Sequence, residues 1–493
     1  MKKGSPHGKT TSLVGDLALR ADRQLGTVVG DAVRANHRRR LKHAGWLAAL
    51  DASAGGWASG EPPPRPGCSL EVLIDGAEAL PRMVAQLARA ESHVHIAGWY
   101  FSPDFALTRN EEPVILRNLL AELAERVEVR VLVWAGAPLP PFRPSRGMVR
   151  KMRESLCRGT RIQCALDKKE RPMHCHHEKT IVIDDRVAFV GGIDLTSEVS
   201  DRFDSSAHRA RGQVGWHDAS AQITGPAVAD VAEHFRMRWQ EVTAEELAPL
   251  ATPEPTGNVE LQIVRTVPEH IYAAKPDGDF RILESYVRAL RSAQRLIYLE
   301  NQFLWSPEIA EILRDKLQRP PTDDFRLLVV LPAKPNAGGD DTRGMLSELV
   351  EADAGAKRLL ACTLYARSGR LADPVYVHAK IGIVDDEWLT LGSANLNDHS
   401  LFNDTEMNVV SHDAAIARQT RLRLWAEHLE LPIKQVAGEP AQVIDDYWEP
   451  ISKEQLARRQ AGEPLTHRLV RFPELSKRTE RLLGPLQGLL LDG

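Results

Sequence analysis

Two stretches of the sequence carry the same three residue types at the same spacing: His177, Lys179 and Asp184 in one, and His378, Lys380 and Asp385 in the other. On a β-strand, residues two apart share a face, so each histidine would project beside its lysine. An imidazole next to a fixed positive charge suits attack on a phosphate ester, or proton transfer to its leaving group. A single triplet of this kind can equally be a capped strand end, because short motifs recur by chance. Two in register with matching flanks favour chemistry.

The flanks do match. HHEKTIVIDDRVAFVGGIDL, from His176, aligns without a gap to VHAKIGIVDDEWLTLGSANL, from Val377, 201 residues further on. Each copy reads as a strand, a tight turn (Asp184-Asp185, Asp385-Asp386), a second apolar strand and a Gly-containing turn. Helix-like runs ending near Ala90 and Ala293 lead into strand candidates at 94–99 and 296–302. The short apolar runs 129–134 and 326–331 also correspond, as do helical runs at 227–239 and 415–425. This alternation predicts an α/β protein made of two duplicated mixed lobes. Proline-rich breaks at 62–66 and 253–257 set the expected division. They give an N-terminal arm at 1–67, lobes at 68–252 and 258–450, and a basic, amphipathic tail at 451–493.

Composition sets wide limits. A chain of 493 residues exceeds one ordinary hydrophobic core, and 43% hydrophobic with 26% charged residues exclude global disorder. A net charge of -4 gives no electrostatic reason to expect a nucleic-acid partner. The start is basic (Lys2, Lys3, Lys9), but Gly15, Asp16 and Arg20 interrupt the apolar stretch that a secretory signal needs. No window approaches the roughly eighteen apolar residues of a membrane span, and the leucine-rich run 482–491 is short and contains Pro485. Cys68, Cys157, Cys164, Cys175 and Cys362 are odd in number and irregularly spaced, so they read as reduced thiols. The expected location is the cytoplasm, in solution or peripheral at a membrane.

Over about residues 68–450 the sequence resembles the phospholipase D superfamily. The resemblance rests on both His-Lys-Asp motifs, GGIDL (191–195), WHD (216–218), IYLENQF (297–303) and GSANLNDHSLFNDTEMNV (392–409). The pattern is more similar to the phosphatidylcholine-hydrolysing phospholipases D than to the nucleases that carry one motif and dimerise. Cardiolipin synthases are similar as well, but usually bring N-terminal membrane helices, which this sequence does not show.

The resemblance implies a pseudo-twofold axis between the lobes and one site at their interface. It implies hydrolysis of phospholipid at a membrane surface to phosphatidic acid and a free headgroup, or transfer of the phosphatidyl group to an alcohol. It further implies a monomer with no cofactor and no metal. His177 would attack phosphorus to form a phosphohistidine, and His378 would protonate the leaving oxygen. Lys179 and Lys380 would hold the non-bridging oxygens, with Ser393 and Asn395 adding hydrogen bonds. At the matching place in the first half stand Gly192 and Asp194. An ionised Asp194 would repel phosphate, so both are assigned to structure, as are Asp184 and Asp385 in the turns. The family pattern pairs Asp218 with His177 and Glu406 with His378; solvated surface carboxylates are the alternative reading.

Several features stay open between two readings. Trp99, with Tyr100, Phe101, Phe303 and Trp305, either lines a substrate channel or packs the core. Glu300, Asn301 and Gln302 are polar at a strand end and candidates for the pocket edge. His174, Cys175 and His176 are zinc-ligand types, but the second copy has Val375, Tyr376 and Val377 there, which points to packing or pKa modulation. Basic segments at 37–43 and 458–481 are solvated helix faces or, in the tail, a membrane-docking surface with Leu469, Val470, Phe472 and Leu475. Rival functions are a phosphatidyl-transferring synthase or nuclease of the same chemistry, a lipid-binding protein with a vestigial site, and a zinc-dependent hydrolase.

Overall fold

The repeated sequence becomes a repeated ladder of strands. The computed structural model describes residues 31–138, 142–198, 202–210, 212, 214–248, 252–333 and 339–473. The basic start (Lys2, Lys3, Lys9), the run 482–491 and Leu475 lie outside the described residues.

The first lobe contributes β1 (Arg65–Ile74), β2 (His93–Gly98), β3 (Glu128–Trp134), β4 (Gln163–Asp167), β5 (Thr180–Ile183), β6 (Val187–Gly191), β7 (Trp216–His217) and β8 (Ala219–Thr224). Its sheet runs β1-β8-β6-β5-β2-β3-β4, antiparallel through β2 and parallel beyond it. The second lobe contributes β9 (Val259–Val267), β10 (Asp279–Phe280), β11 (Leu296–Glu300), β12 (Arg326–Val330), β13 (Leu359–Ser368), β14 (Leu371–Pro374), β15 (Tyr376–Val377), β16 (Ile381–Val384), β17 (Trp388–Gly392), β18 (Glu406–Ser411) and β19 (Leu469–Arg471). Its main sheet repeats the order and sense as β9-β18-β17-β16-β11-β12-β13. Parallel neighbours need crossover helices, and these are Leu116–Leu123 and Arg146–Cys157 in one lobe, Pro307–Gln318 and Gly339–Asp353 in the other. β1 also pairs with β9, through Arg65 to Leu261 and Cys68 to Val259, which ties the sheets together.

The central strands are apolar on both faces because each face meets a core. In β5, Val182 enters a core shared by both lobes, while Ile181 and Ile183 enter the first lobe's outer core. In β16, Ile381 and Ile383 enter the shared core, and Val384 enters the second lobe's outer core. The lobes are therefore joined by apolar packing, with Val190, Ala221 and Ile223 opposite Ile263, Leu391 and Val409.

The Asp-Asp turns are built as the sequence suggested. Asp184 and Asp185 hold φ of 53° and 55°, Asp385 and Asp386 hold 54° and 58°, and Asp tolerates this left-handed region better than most residues. The first carboxylate of each pair caps the start of a neighbouring strand. Asp184 accepts from Glu91 N, Ser92 N and His93 N at 2.8, 2.7 and 3.0 Å; Asp385 accepts from Gln294 N, Arg295 N and Leu296 N at 2.7, 2.8 and 2.7 Å. Partial burial alone would raise the Asp184 carboxyl, but these donors outweigh it and hold it below the usual carboxylate range. The second carboxylate anchors a helix: Asp185 takes Arg236 of Val228–Thr243, and Asp386 takes Arg421 of Ala414–Leu429, each through two bonds.

Both ends differ from the expected division. The boundary at 67 falls inside β1, and helical residues 31–43 pack on the second lobe, where Leu41 meets its outer core and His37 stacks on Phe402 at 3.9 Å. In that segment Arg40 is bonded to Glu269, Asn403 and Phe402 O. The tail, read as solvated helix faces or alternatively as a membrane-docking surface, supplies β19, paired with β13, and its Leu469, Val470 and Phe472 are buried. These side chains complete a sheet edge, so they are not available to a bilayer. All five cysteines are free thiols. Among the described residues, no helix is long and apolar enough to cross a membrane.

Replacing Asp385 by Ala should leave three backbone donors without their acceptor and strain the turn, lowering stability by about 1–3 kcal/mol, whereas Asp385→Asn should keep most of it. Denaturant unfolding of both variants checks this. Equal stability of the Ala and wild-type proteins would show that the cap contributes nothing.

Candidate active site

Both motifs lie just before their strands rather than on them, since β5 begins at Thr180 and β16 at Ile381. This departs from the strand placement expected from spacing, and the cause is that each motif's backbone bonds to the opposite lobe. His176 forms a parallel bridge with Thr405, and the N–H groups of His177 and Glu178 both donate to Thr405 O, at 2.9 and 3.0 Å. In the mirror arrangement β15 pairs in parallel with β7, and the N–H groups of His378 and Ala379 both donate to His217 O, at 2.8 and 3.0 Å. The exchange brings the two imidazoles face to edge, with ring centroids 6.4 Å apart.

The same exchange corrects the carboxylate pairing. His177 Nδ1 bonds Glu406 Oε1 at 2.9 Å, and His378 Nδ1 bonds Asp218 Oδ2 at 2.7 Å, the reverse of the expected partners. Each carboxylate sits one residue after the carbonyl that receives the opposite motif, so it reaches across the boundary and not back into its own lobe. With Nδ1 engaged, each ring has Nε2 for chemistry.

The lysines turn back beside their histidines. Lys179 Nζ donates to His177 O at 2.7 Å and lies 3.5 Å from Asp194 Oδ1. Lys380 Nζ donates to His378 O and to Gln302 Oε1, the latter at 3.1 Å. Gln302 also accepts from Asn395 Nδ2 at 3.4 Å and donates to Tyr376 OH at 2.8 Å, which makes it a holder of Lys380. Asp194 is the ion-pair partner of Lys179.

Other expected residues are placed differently. Ser393 donates its hydroxyl proton to Glu406 and accepts from Met407 N at 3.1 Å, so it orients a carboxylate and does not serve phosphate. Ser400 adds a second hydroxyl to Glu406 at 2.6 Å. Gly192, the counterpart of Ser393, is required by space: a Cβ there would stand 2.2 Å from Asp218 Oδ1. Glu300 is not at a pocket edge; it is fully buried and accepts from His217 Nε2 at 2.7 Å and His428 Nε2 at 2.8 Å. Trp99 stacks on Trp134, with centroids 6.2 Å apart. In the His174-Cys175-His176 run, His174 Nδ1 lies 2.9 Å from His399 Nδ1, Cys175 is buried, and His176 meets Thr405 at 2.9 Å. Among the described residues, no group of three potential metal ligands includes His177 or His378.

Reading by motif missed Arg202, which is buried with its guanidinium 3.4 Å from the Trp216 ring centroid; Trp216 in turn lies 4.4 Å from the His378 ring. Arg202 has no counterpart in the second copy, so duplication gave no signal for it.

Burial dominates the electrostatics. It pushes the Asp218 carboxyl up to about 6, with Asp194 adding to it and Lys380 opposing. It drives His378 well below its ordinary value, helped by Lys380, Lys179, Arg202 and His177. It also lowers Lys380 to about 7, with Asp218 opposing and Lys179 reinforcing. His378 and Lys380 thus hold fewer protons at neutral pH than their ordinary values would give, and an anion placed between the lysines would restore them. Paired imidazoles, two lysines and orienting carboxylates can carry out nucleophilic displacement at phosphorus.

Residues 286–426 match the family model described as a cardiolipin synthase, PLD-like domain. The chain is 26% identical over 480 residues to phospholipase D A of Dictyostelium discoideum, covering 78% of this chain and 37% of that protein. It is 26% identical over 466 residues to phospholipase D alpha 4 of Arabidopsis thaliana, covering 68% and 61%. It is 24% identical over 365 residues to the major cardiolipin synthase ClsA of Bacillus subtilis, covering 71% and 67%. The chain thus spans 37% and 61% of the length of the first two relatives. The crystal structure of a phosphatidylserine synthase from Haemophilus influenzae shares the fold, with a TM-score of 0.50 at 13% identity over 80% of this chain and 93% of that one.

Sulfate binding at pH 8 should be accompanied by proton uptake, because the anion raises the pKa of Lys380 back through the working pH. The calorimetric binding enthalpy should then vary with the ionisation heat of the buffer. Lys380→Arg, charged throughout, should take up fewer protons. An enthalpy independent of buffer would mean that the centre is already fully charged.

Proposed function

The chain belongs to the phospholipase D superfamily, and we propose that it hydrolyses phospholipids to phosphatidic acid and a free headgroup through a phosphohistidine. The observation that carries this reading is the pair of facing imidazoles, each held at Nδ1 by a carboxylate of the opposite lobe.

In the proposed first step, the diester phosphate lies between Lys179 and Lys380, whose charges oppose the negative charge that builds in the transition state. Nε2 of His177 attacks phosphorus while Glu406 stabilises the cation that forms on the ring. The bond to the headgroup oxygen breaks, and His378, protonated once the anion is bound, donates its proton to that oxygen. In the second step His378 takes a proton from water, the oxygen attacks phosphorus, and the bond to His177 breaks. An alcohol in place of water gives transfer, and the family description, a cardiolipin synthase, PLD-like domain, supports retaining that outcome. Relatives named phospholipase D support the hydrolytic one.

The test is incubation with a panel of phospholipids, with and without ethanol and beside single-stranded DNA, followed by mass analysis. Phosphatidic acid alone, and phosphatidylethanol when ethanol is present, are the expected products; cleaved DNA with intact lipid would replace the reading by a nuclease. Lys179→Ala and Lys380→Ala should each lower turnover about a hundredfold or more with the fold retained. Quenched His378→Ala, given a substrate whose leaving group needs no proton, should carry phosphorus on His177. Label on His378 of the wild type, with none on His177, would reverse the roles.

A further inference from the structure

Directly behind the Asp218–His378 pair lies a second set of titratable side chains that the reaction does not use. Asp75, His208 and His217 come from the first lobe and Glu427 from the second, and the side chains are 0, 0, 0 and 6% exposed. Their ligand atoms converge. His217 Nδ1 is 3.0 Å from Asp75 Oδ1 and 3.4 Å from Glu427 Oε1, while His208 Nε2 is 3.0 Å from Glu427 Oε1 and 3.4 Å from Asp75 Oδ2. A tetrahedral ion bound by nitrogen and oxygen at about 2.0–2.1 Å has neighbouring ligand atoms about 3.3–3.4 Å apart. Two of the four distances are of that size and two are shorter, at 3.0 Å, and one ligand atom from each of the four residues lies within 4.8 Å of the others.

The outer contacts have the form that metal-bound imidazoles require. His208 offers Nε2 to the centre and its Nδ1 lies 3.1 Å from Asp204 Oδ2; His217 offers Nδ1 and its Nε2 lies 2.7 Å from Glu300 Oε2. A carboxylate on the far nitrogen sets the tautomer and makes the near one a better donor. Among the described residues, fully buried Asp75 Oδ2 has no hydrogen-bond partner, although His208 Nε2 lies 3.4 Å away. Among the four ligand side chains, two carboxylates and two neutral imidazoles sum to zero with a divalent ion, and without one a second proton on each imidazole reaches the same balance. Two imidazole donors favour a zinc-type ion over calcium or magnesium, which prefer all-oxygen shells.

We propose that Asp75, His208, His217 and Glu427 form a closed, structural site for a tetrahedral divalent ion of the zinc type, clamped between the lobes. The site braces the reacting centre without touching substrate. Asp75 Oδ1 accepts the Asp218 N–H at 3.1 Å, and the His217 carbonyl receives the His378 and Ala379 N–H groups. An ion there fixes the backbone from which Asp218 and His378 project.

The test reads metal and stability, so it stands whether or not the phospholipid reaction is found. The purified full chain should hold about one zinc-type ion per molecule after dialysis against a weak chelator. Once stripped by a strong chelator, it should melt several degrees lower and regain its melting temperature with added Zn²⁺. His208→Gln and Glu427→Gln should lose both the ion and the response. If those variants do not fold, Co²⁺ added to stripped wild-type protein should give the strong visible bands of a four-coordinate ion. A chain without metal whose melting is unmoved by zinc, or cobalt that stays unbound, would make the cluster a network of protonated imidazoles and overturn the site. Metal retained in full by both variants would also overturn it.

Discussion

Two carbonyl oxygens organise the centre of this molecule. Thr405 O and His217 O each receive two successive N–H groups from the motif of the other lobe, and both facing imidazoles are placed by those four bonds. The arrangement explains why the motifs stop short of their strands. An extended segment that continued its own sheet could not also bond across the boundary, so pairing is handed from one lobe to the other at the residue before each histidine. It explains the carboxylate exchange too, because Asp218 and Glu406 immediately follow the two accepting residues.

The two halves keep this plan with different parts. In the second lobe Glu406 is a longer side chain, steadied by hydroxyls from Ser393 and Ser400. In the first, Asp218 is shorter, its partner position is Gly192, and its second oxygen accepts from Ala219 N at 2.8 Å. A longer acid with an added serine and a shorter acid with a cleared glycine both bring a carboxylate to imidazole Nδ1 at 2.7–2.9 Å. The lysines diverge likewise, with Asp194 beside Lys179 and neutral Gln302 beside Lys380. One lysine has a charged neighbour at 3.5 Å and the other relies on an amide, so the site is chemically asymmetric despite its symmetric scaffold.

Much of this was legible in the sequence because duplication filters chance. The α/β class, the two lobes, the histidine and lysine pairs and the Asp turns each appear twice, and a local pattern seen twice needs no tertiary information. What failed was any inference about which lobe a side chain reaches. The family pattern pairs Asp218 with His177 within one half, but a motif carries no information about an exchanged backbone. Ser393 was read as a phosphate donor, although its hydroxyl is committed to Glu406. Glu300 looked like a pocket edge from its place at a strand end, and burial between two histidines was invisible without the fold. A membrane-docking surface stayed open as the second reading of the tail because alternating basic and apolar residues fit an amphipathic surface and an edge strand equally well. Residues of metal-ligand type stand side by side at 174–176, whereas the cluster behind the centre is drawn from positions 75, 208, 217 and 427.

The sequence separation of the exchanged contacts also bears on how the protein comes to be made. Glu406 follows its partner His177 by 229 residues, and Thr405 follows His176 by the same distance. A chain emerging from the ribosome at about 5–20 residues per second therefore exposes the first motif for some ten to fifty seconds before its acceptors exist. During that interval the first lobe can close its outer core but not its inner face, which is apolar and shared with strands not yet translated. Synthesis of this protein thus contains a long vulnerable stage, and the speed of translation between the two motifs sets how long a nascent chain depends on chaperones to stay unaggregated.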